Sequence, residues 1–311
     1  MVDPAIVGGT VLLCALIIDR IAGDPDSPYH PVALLGRVIA WWGRPERWSP
    51  RLQRPVGVLL TVATAGLFSG PFILCTRLGP LVLLLAGPLL LKVCFAWRAL
   101  EEHAAMVETA LTVDLEDARR MAGRLVSRDT APLTAEQVRS AAYESVAENL
   151  VDSITAPLLY YSVLGLGGAA VYRAVNTMDA MLGYRDERIR LGWAAARLDD
   201  LLGFIPARIT GLILLAWFWA IGRGPQAWRT LRADRRKRPG FNGGIPMALI
   251  AGGVGVAFEK PGVYRIGEPE ITLAEGGPGI VRAVRAASAG TVVLCLITLF
   301  LCAVLANRIQ L

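Results

Sequence analysis

Charge is what this sequence has least of. Charged residues make up 19% of the 311-residue chain and hydrophobic residues 54%, whereas soluble domains carry about 25% charge. That balance excludes an ordinary water-soluble fold and makes the bilayer the expected solvent. Histidine is nearly missing, with only His30 and His103. The five cysteines, Cys14, Cys75, Cys94, Cys295 and Cys302, lie in apolar stretches without C-x-x-C spacing, so they are expected to pack rather than bind metal. The chain has no G-x-x-x-x-G-K-S/T loop, no G-x-G-x-x-G fingerprint and no G-x-S-x-G elbow. A nucleotide, if used, must therefore be held by acids, metal and arginines, and no serine nucleophile is expected. The start, Met1-Val2-Asp3-Pro4, lacks the basic region of a secretion signal, so the first apolar run is expected to belong to the mature protein.

Long uncharged runs are abundant instead. Those at 56–75, 153–172, 240–258 and 286–306 approach the length that crosses a hydrocarbon core of about 30 Å, and 4–18, 78–97 and 201–222 are weaker candidates. The expected fold class is an all-α, polytopic helical membrane protein with about six to eight membrane segments. Pro157, the Gly165-Leu166-Gly167-Gly168 cluster and Pro206 mark segments expected to be broken or re-entrant. With no long repeat or linker, residues 1–311 read as a single membrane domain, in which 98–152 forms a water-facing insertion of amphipathic helices. There Asp114 with Asp117 is expected to cap one helix, and Thr134 with Gln137 to start another that runs from Ala135 towards Val151.

The formal charge of +6 gathers in loops, at Arg44 to Arg54 and again from Arg229 to Arg238. This fits anchoring on the cytoplasmic side better than nucleic-acid binding. Lys and Arg counts place residues 19–55, 98–152 and 223–239 in the cytoplasm, with Trp41, Trp42, Trp48 and Trp97 at the interface.

Acids carry the candidate chemistry. Glu144, Glu148 and Asp152 recur every fourth residue and share one helix face, joined loosely by Asn149. They repel one another unless a cation answers them. A solvated surface face would explain the glutamates alone, but Asp152 abuts an apolar run, where an ionisable group is costly. The pattern N-x-x-D occurs at Asn149–Asp152 and again at Asn176–Asp179, with Asp199-Asp200 beyond. These are hard oxygen ligands suited to Mg²⁺. Arg185, Arg188, Arg190, Arg197 and Arg208 follow; guanidinium forks bind carboxylate or phosphate, or pair with Asp186, Glu187 and Asp199. For Arg188 and Arg190 the internal pairs are favoured. His30 stands near Asp19 and Asp24, where it is either a satisfied structural group or a base.

Taken together, Asp19-Arg20-Ile21-Ala22-Gly23-Asp24-Pro25, His30-Pro31-Val32, Glu144-Ser145-Val146-Ala147-Glu148-Asn149 and Asn176-Thr177-Met178-Asp179 with Gly183-Tyr184-Arg185 form an ordered series. Gly192-Trp193-Ala194-Ala195-Ala196-Arg197-Leu198-Asp199-Asp200 and Glu259-Lys260-Pro261-Gly262-Val263-Tyr264 extend it. Over residues 12 to 267 the chain resembles the CobD/CbiB family of adenosylcobinamide-phosphate synthases. It departs from that family at Gly240-Phe241-Asn242-Gly243-Gly244, where a Ser-Pro-Asn-Ala-Gly segment is usual, although Asn242 is retained, and between Gly183 and Gly192, which is one residue short.

The resemblance implies an ATP-dependent amide ligation in cobalamin biosynthesis, joining the free propionate of the corrinoid adenosylcobyric acid to aminopropanol or aminopropanol phosphate. In that reading Glu144, Glu148 and His30 are catalytic, and Glu148, Asp152, Asp179 and Asp199 hold Mg²⁺. Asp24, Asn149, Asn176, Arg185, Arg197, Asp200 and Asn242 bind substrate. It implies a multi-pass protein of the inner membrane with its active site on the cytoplasmic side, in contact with lipid and not with nucleic acid. It also leaves room for association with other membrane enzymes of cobalamin biosynthesis and for a homo-oligomer. Two other classes compete. A Mg²⁺-dependent membrane prenyl- or phospho-alcohol transferase would need no ATP, but neither N-x-x-D copy extends to D-x-x-x-D. A transporter would show two halves of matching hydropathy, and none is found.

Overall fold

The structure, a computed structural model, describes residues 4–25 and 27–309. Thirteen α-helices are described: α1 Pro4–Ala22, α2 Pro31–Trp42, α3 Gln53–Arg77, α4 Pro80–Cys94, α5 Trp97–Leu111, α6 Leu115–Ala122, α7 Ala135–Leu150, α8 Ala156–Leu182, α9 Trp193–Leu202, α10 Phe204–Ala220, α11 Gly224–Asp234, α12 Gly244–Val254 and α13 Leu273–Ile309. An antiparallel hairpin, β1 Phe258–Lys260 and β2 Tyr264–Ile266, pairs Glu259 with Arg265. Six helical stretches are long and apolar enough to cross a membrane: Ala5–Ala22, Gln53–Arg77, Pro80–Leu111, Ala135–Leu182, Trp193–Ala220 and Leu273–Leu305. The protein is a polytopic α-helical protein of the inner membrane.

The chain forms two compact units. The first comprises Met1–Ala96, Ala156–Gly203 and Val292–Leu311. In it α8 packs on α2, α3, α4 and α9, and α1 on α4. Leu35, Ile39 and Trp42 of α2 meet Ala174, Val175, Met178 and Leu182 of α8 in its core. Trp42, expected at the interface, is instead 1% exposed. Its indole N–H must find a partner once buried, and it donates to Thr64 Oγ1 at 3.1 Å. Trp41 is exposed, as an interfacial tryptophan should be.

The second unit comprises Trp97–Thr155 and Phe204–Thr291. Its helices α5, α6 and α7 close over Val107, Ala118, Ala122, Leu133, Val138, Ala141 and Ala142. Asp114 caps α6 through the Asp117 N–H, and Thr134 and Gln137 form a full capping box on α7, as their spacing predicts. The run 240–258 does not cross a bilayer. Its helix, α12, has 11 residues, roughly 16 Å of rise. It is buried from Gly244 to Gly253 against α7, α10 and α11. A helix apolar on every side belongs either in lipid or in a protein core, and its shortness places this one in a core.

The expected breaks appear, with shifted causes. Residues Val151–Thr155 form a π-helical turn before Pro157. Within α8 the backbone turns at Gly165, whose φ of 68° and ψ of −162° suit only glycine. Further on, α9 ends at Leu202 with Gly203 as its C-cap, so Pro206 sits harmlessly in the first turn of α10.

Candidate active site

The acidic face of α7 is answered by arginines. Glu144 is buried, and its Oε1 accepts from Ser140 Oγ at 2.6 Å and from Arg128 Nη2 at 3.1 Å. Its Oε2 accepts from the Tyr264 hydroxyl at 2.6 Å. One turn on, Glu148 accepts two bonds from Arg238, through Nε at 3.2 Å and through Nη2. Arg238, which in sequence reads as membrane-anchoring charge, is thus a site residue. Burial works against its cation, but the charge and hydrogen bonds of Glu148, with Tyr264 and Asp152 in range, more than offset this and raise its pKa. Burial, then the charges of Glu144 and Glu148, push the Tyr264 phenol upward, so it stays a proton donor. Ser140 also ties α7 to β1, accepting the Glu259 N–H at 2.6 Å. This joins the Glu144 segment to the Glu259–Tyr264 segment.

Asp152 lies in the π-helical turn, so Asn149 and Asp152 are not spaced as on a regular α-helix. Asn149 Nδ2 donates to Ser145 O at 2.9 Å and to its Oγ at 3.2 Å. Asn242 Oδ1 accepts from Arg208 Nη1 at 2.8 Å. These residues belong to the second unit.

The first unit holds the other N-x-x-D copy. Asn176 and Asp179 lie on one face of α8, and Asn176 Nδ2 donates to Asp199 Oδ1 of α9 at 3.2 Å. Gly183 makes room for this acid, because a Cβ there would collide with Asp179 Oδ1. Asp200 follows Asp199 on α9, and Asp179, Asp199 and Asp200 are all engaged in polar interactions. Arg185 and Arg197 are exposed. Arg188, as the internal-pair reading expects, folds onto Asp186, with Nε at 3.0 Å from Oδ1. That contact holds the Asp186 carboxyl at about 2, well below its usual range. Arg190 bonds the carbonyl of Pro50.

A third cluster closes the N-terminal motif. His30 caps α2, its Nδ1 accepting the Val32 N–H at 3.4 Å. Burial lowers its pKa, Asp24 opposes this, and Lys92 and Arg173 add to it, so the imidazole is neutral near pH 7. Lys92, which sequence placed merely near the end of an apolar run, is buried. Its ammonium lies 2.5 Å from Asp24 Oδ1 and 3.1 Å from Asp19 Oδ1, the latter within ion-pair reach but off hydrogen-bond alignment, and it donates to Phe95 O. A lone charge inside an apolar run was the signal that could have found it.

Glu148 and Asp152 thus lie in the second unit, and Asp179 and Asp199 in the first. Among the described residues no group of three His, Cys, Asp or Glu side chains is arranged to hold a metal. Magnesium, however, commonly takes only one or two carboxylates and completes its shell with water and phosphate. The oxygen donors of Asn176, Asp179 and Asp199 fit that demand by type. Glu148 fits it less well, because Arg238 already occupies both of its oxygens.

Comparison with known proteins agrees with the motif series and extends it through α13. The model of the CobD/Cbib protein family matches residues 12–306. A "Probable cobalamin biosynthesis protein CobD" of Methanothermobacter thermautotrophicus is 43% identical over 264 residues, 84% of this chain and 87% of the relative. The "Cobalamin biosynthesis protein CobD" of Dehalococcoides mccartyi is 38% identical over 265 residues, covering 83% and 86%. A "Probable cobalamin biosynthesis protein CobD" of Pyrococcus furiosus is 42% identical over 253 residues, covering 81% and 85%. No solved structure matches the chain.

Proposed function

Because the chain belongs to the CobD/CbiB family of cobalamin-biosynthesis enzymes, we propose that it joins the free propionate of adenosylcobyric acid to aminopropanol or its phosphate in an ATP-dependent amide ligation. A carboxylate is a poor acyl donor. Transfer of the γ-phosphoryl group of ATP to its oxygen releases ADP and leaves an acyl phosphate, which the neutral amine attacks to give the amide and phosphate. Asp179 and Asp199, with Asn176, would hold Mg²⁺, which supplies charge neutralisation for the phosphates when bound.

The observation that carries this reading is the α7 cluster. Glu144 and Glu148 hold Arg128 and Arg238 as preset donors, and such groups stabilise anionic oxygen without reorganising; the single O–H of Tyr264 is spent on Glu144. Glu144, with three donors on its two oxygens, is a positioning residue. The ammonium form of the amine must lose a proton before it attacks. Glu148 is assigned as the acceptor, because His30 already receives the Val32 N–H on Nδ1 and carries its own proton on Nε2, and the rate profile of Glu148→Gln across pH tests this. Arg185 and Arg197, both exposed, are assigned to the one free carboxylate of the corrinoid or to a phosphate, and Asp24, Asn149, Asp200 and Asn242 to the polar periphery of the substrate. The active site faces the cytoplasm, where ATP is supplied.

The test is to incubate purified protein with adenosylcobyric acid, Mg²⁺-ATP and either amine, and to weigh the corrinoid. A mass gain equal to one amide bond, dependent on ATP, is expected. No gain with either amine refutes the ligase, and a gain that needs no ATP points instead to a transferase.

A further inference from the structure

Among the described residues one guanidinium of the first unit has no paired carboxylate. Arg173 lies on α8 beyond the Gly165 bend, on a stretch apolar enough to cross the membrane. Its Nε is buried without a hydrogen-bond partner, and among the described residues no carboxylate pairs with it. The acids at hand are spent elsewhere, since Asp19 and Asp24 both converge on Lys92. Arg173 as a whole is half-buried, but a buried N–H without a partner is a cost that folds seldom carry, and an ionisable group at membrane depth usually marks a ligand or ion path.

Its neighbours indicate what the ligand is. Helix α8 packs against α2 and α4, and His30, which caps α2, lies within electrostatic range of Arg173, Lys92 and Asp24. Because His30 Nδ1 accepts the Val32 N–H, the proton of the neutral ring is on Nε2, which makes that nitrogen a donor. The Nε–Nη edge of a guanidinium engages two oxygens side by side, and a separate imidazole N–H asks for a third. A carboxylate has two oxygens, and a terminal phosphate group has three. Among the described residues Lys92 engages both Asp19 and Asp24, which leaves the cation of Arg173 still to be answered.

We infer that Arg173, with His30 in electrostatic range, anchors a terminal phosphate group in the first unit. Resting on the proposed ligation, that group is either the terminal phosphate of the nucleotide or that of the phosphorylated amino alcohol.

The test is calorimetric titration of the full chain in detergent with aminopropanol phosphate, with Mg²⁺-ATP and with free aminopropanol, for the wild type, Arg173→Gln and Arg173→Lys. Arg173→Gln is expected to weaken one of the two phosphate ligands tenfold or more, and the ligand affected identifies the source. Arg173→Lys, which keeps the charge but loses the fork, is expected to fall between, and free aminopropanol to be unchanged. Wild-type affinity for both phosphate ligands in Arg173→Gln, or an equal loss for the free amine, overturns the inference, as does a wild type that binds neither phosphate ligand. Should Arg173→Gln not purify folded, unchanged affinities in Arg173→Lys overturn it. Binding is read without turnover, so a wild type that binds the phosphate ligand through Arg173 but forms no amide refutes the ligase and leaves the anion site standing.

Discussion

Replacing Lys92 by methionine is expected to be one of the more damaging single changes in the protein. Its ammonium is 8% exposed and faces an Asp19 carboxylate that is 1% exposed, 3.1 Å away. At an effective dielectric of about 20, two unit charges at that distance attract by roughly 5 kcal/mol. Asp24 adds less, because its side chain is 32% exposed and solvent screens it. Desolvation of the ammonium, which the substitution relieves, cancels part of this. What remains is a buried carboxylate that has lost the Lys92 cation, a defect that costs about 3–5 kcal/mol. Methionine keeps the unbranched stem and much of the packing, so the loss reports on charge. The assay is reversible unfolding in mixed micelles for Lys92→Met, Asp19→Asn and the double variant. Asp19→Asn/Lys92→Met should recover about 2 kcal/mol relative to Lys92→Met alone, because the stranded charge is gone. The reasoning is refuted if Lys92→Met costs less than about 1 kcal/mol, the range of exposed pairs, or if the double variant loses the sum of the two single ones.

Gly183→Ala places a methyl group against Asp179 Oδ1; amide synthesis should fall by about 100-fold, the effect of an ångström of misplacement, while the helical circular dichroism signal is kept. Thr134→Ala removes one half of the α7 capping box and should cost about 1 kcal/mol in the same unfolding assay, and a loss under a few tenths would show that tertiary contacts alone hold that helix end. The lowered pKa of His30 means that the unfolded chain binds the proton more tightly than the folded one. Its contribution to stability is therefore complete above the unfolded value near 6.5 and lost as pH falls from there through the folded value. His30→Gln should flatten the stability profile across that window, and an unchanged slope would contradict the burial.

Local signals were the most legible part of this protein. The α7 capping box needs only Thr134 and Gln137 three residues apart, and the α6 cap only Asp114 and Asp117, so both could be read directly. The acidic pair Glu144 and Glu148 was legible as well, because helical periodicity alone puts them on one face of α7, whereas the π-helical turn takes Asp152 off that spacing. The arginines that answer it were not. Arg128 lies 16 residues from Glu144 and Arg238 lies 90 from Glu148, and no local rule relates positions so far apart. The run 240–258 misled for a related reason. Hydropathy measures how much a segment avoids water and does not say whether lipid or protein shields it.

Sequence by itself determined the solvent, the helical class, the family and which acids are candidates for the chemistry, because each follows from composition, short spacing or an ordered set of motifs. Tertiary structure decided the pairing of charges: Lys92 with Asp19 and Asp24, Arg238 with Glu148, Tyr264 with Glu144, and, among the described residues, no carboxylate with Arg173. The physical reason is that a charge in a low-dielectric interior takes its meaning from what lies within a few ångströms. Those neighbours come from helices that are distant in the chain.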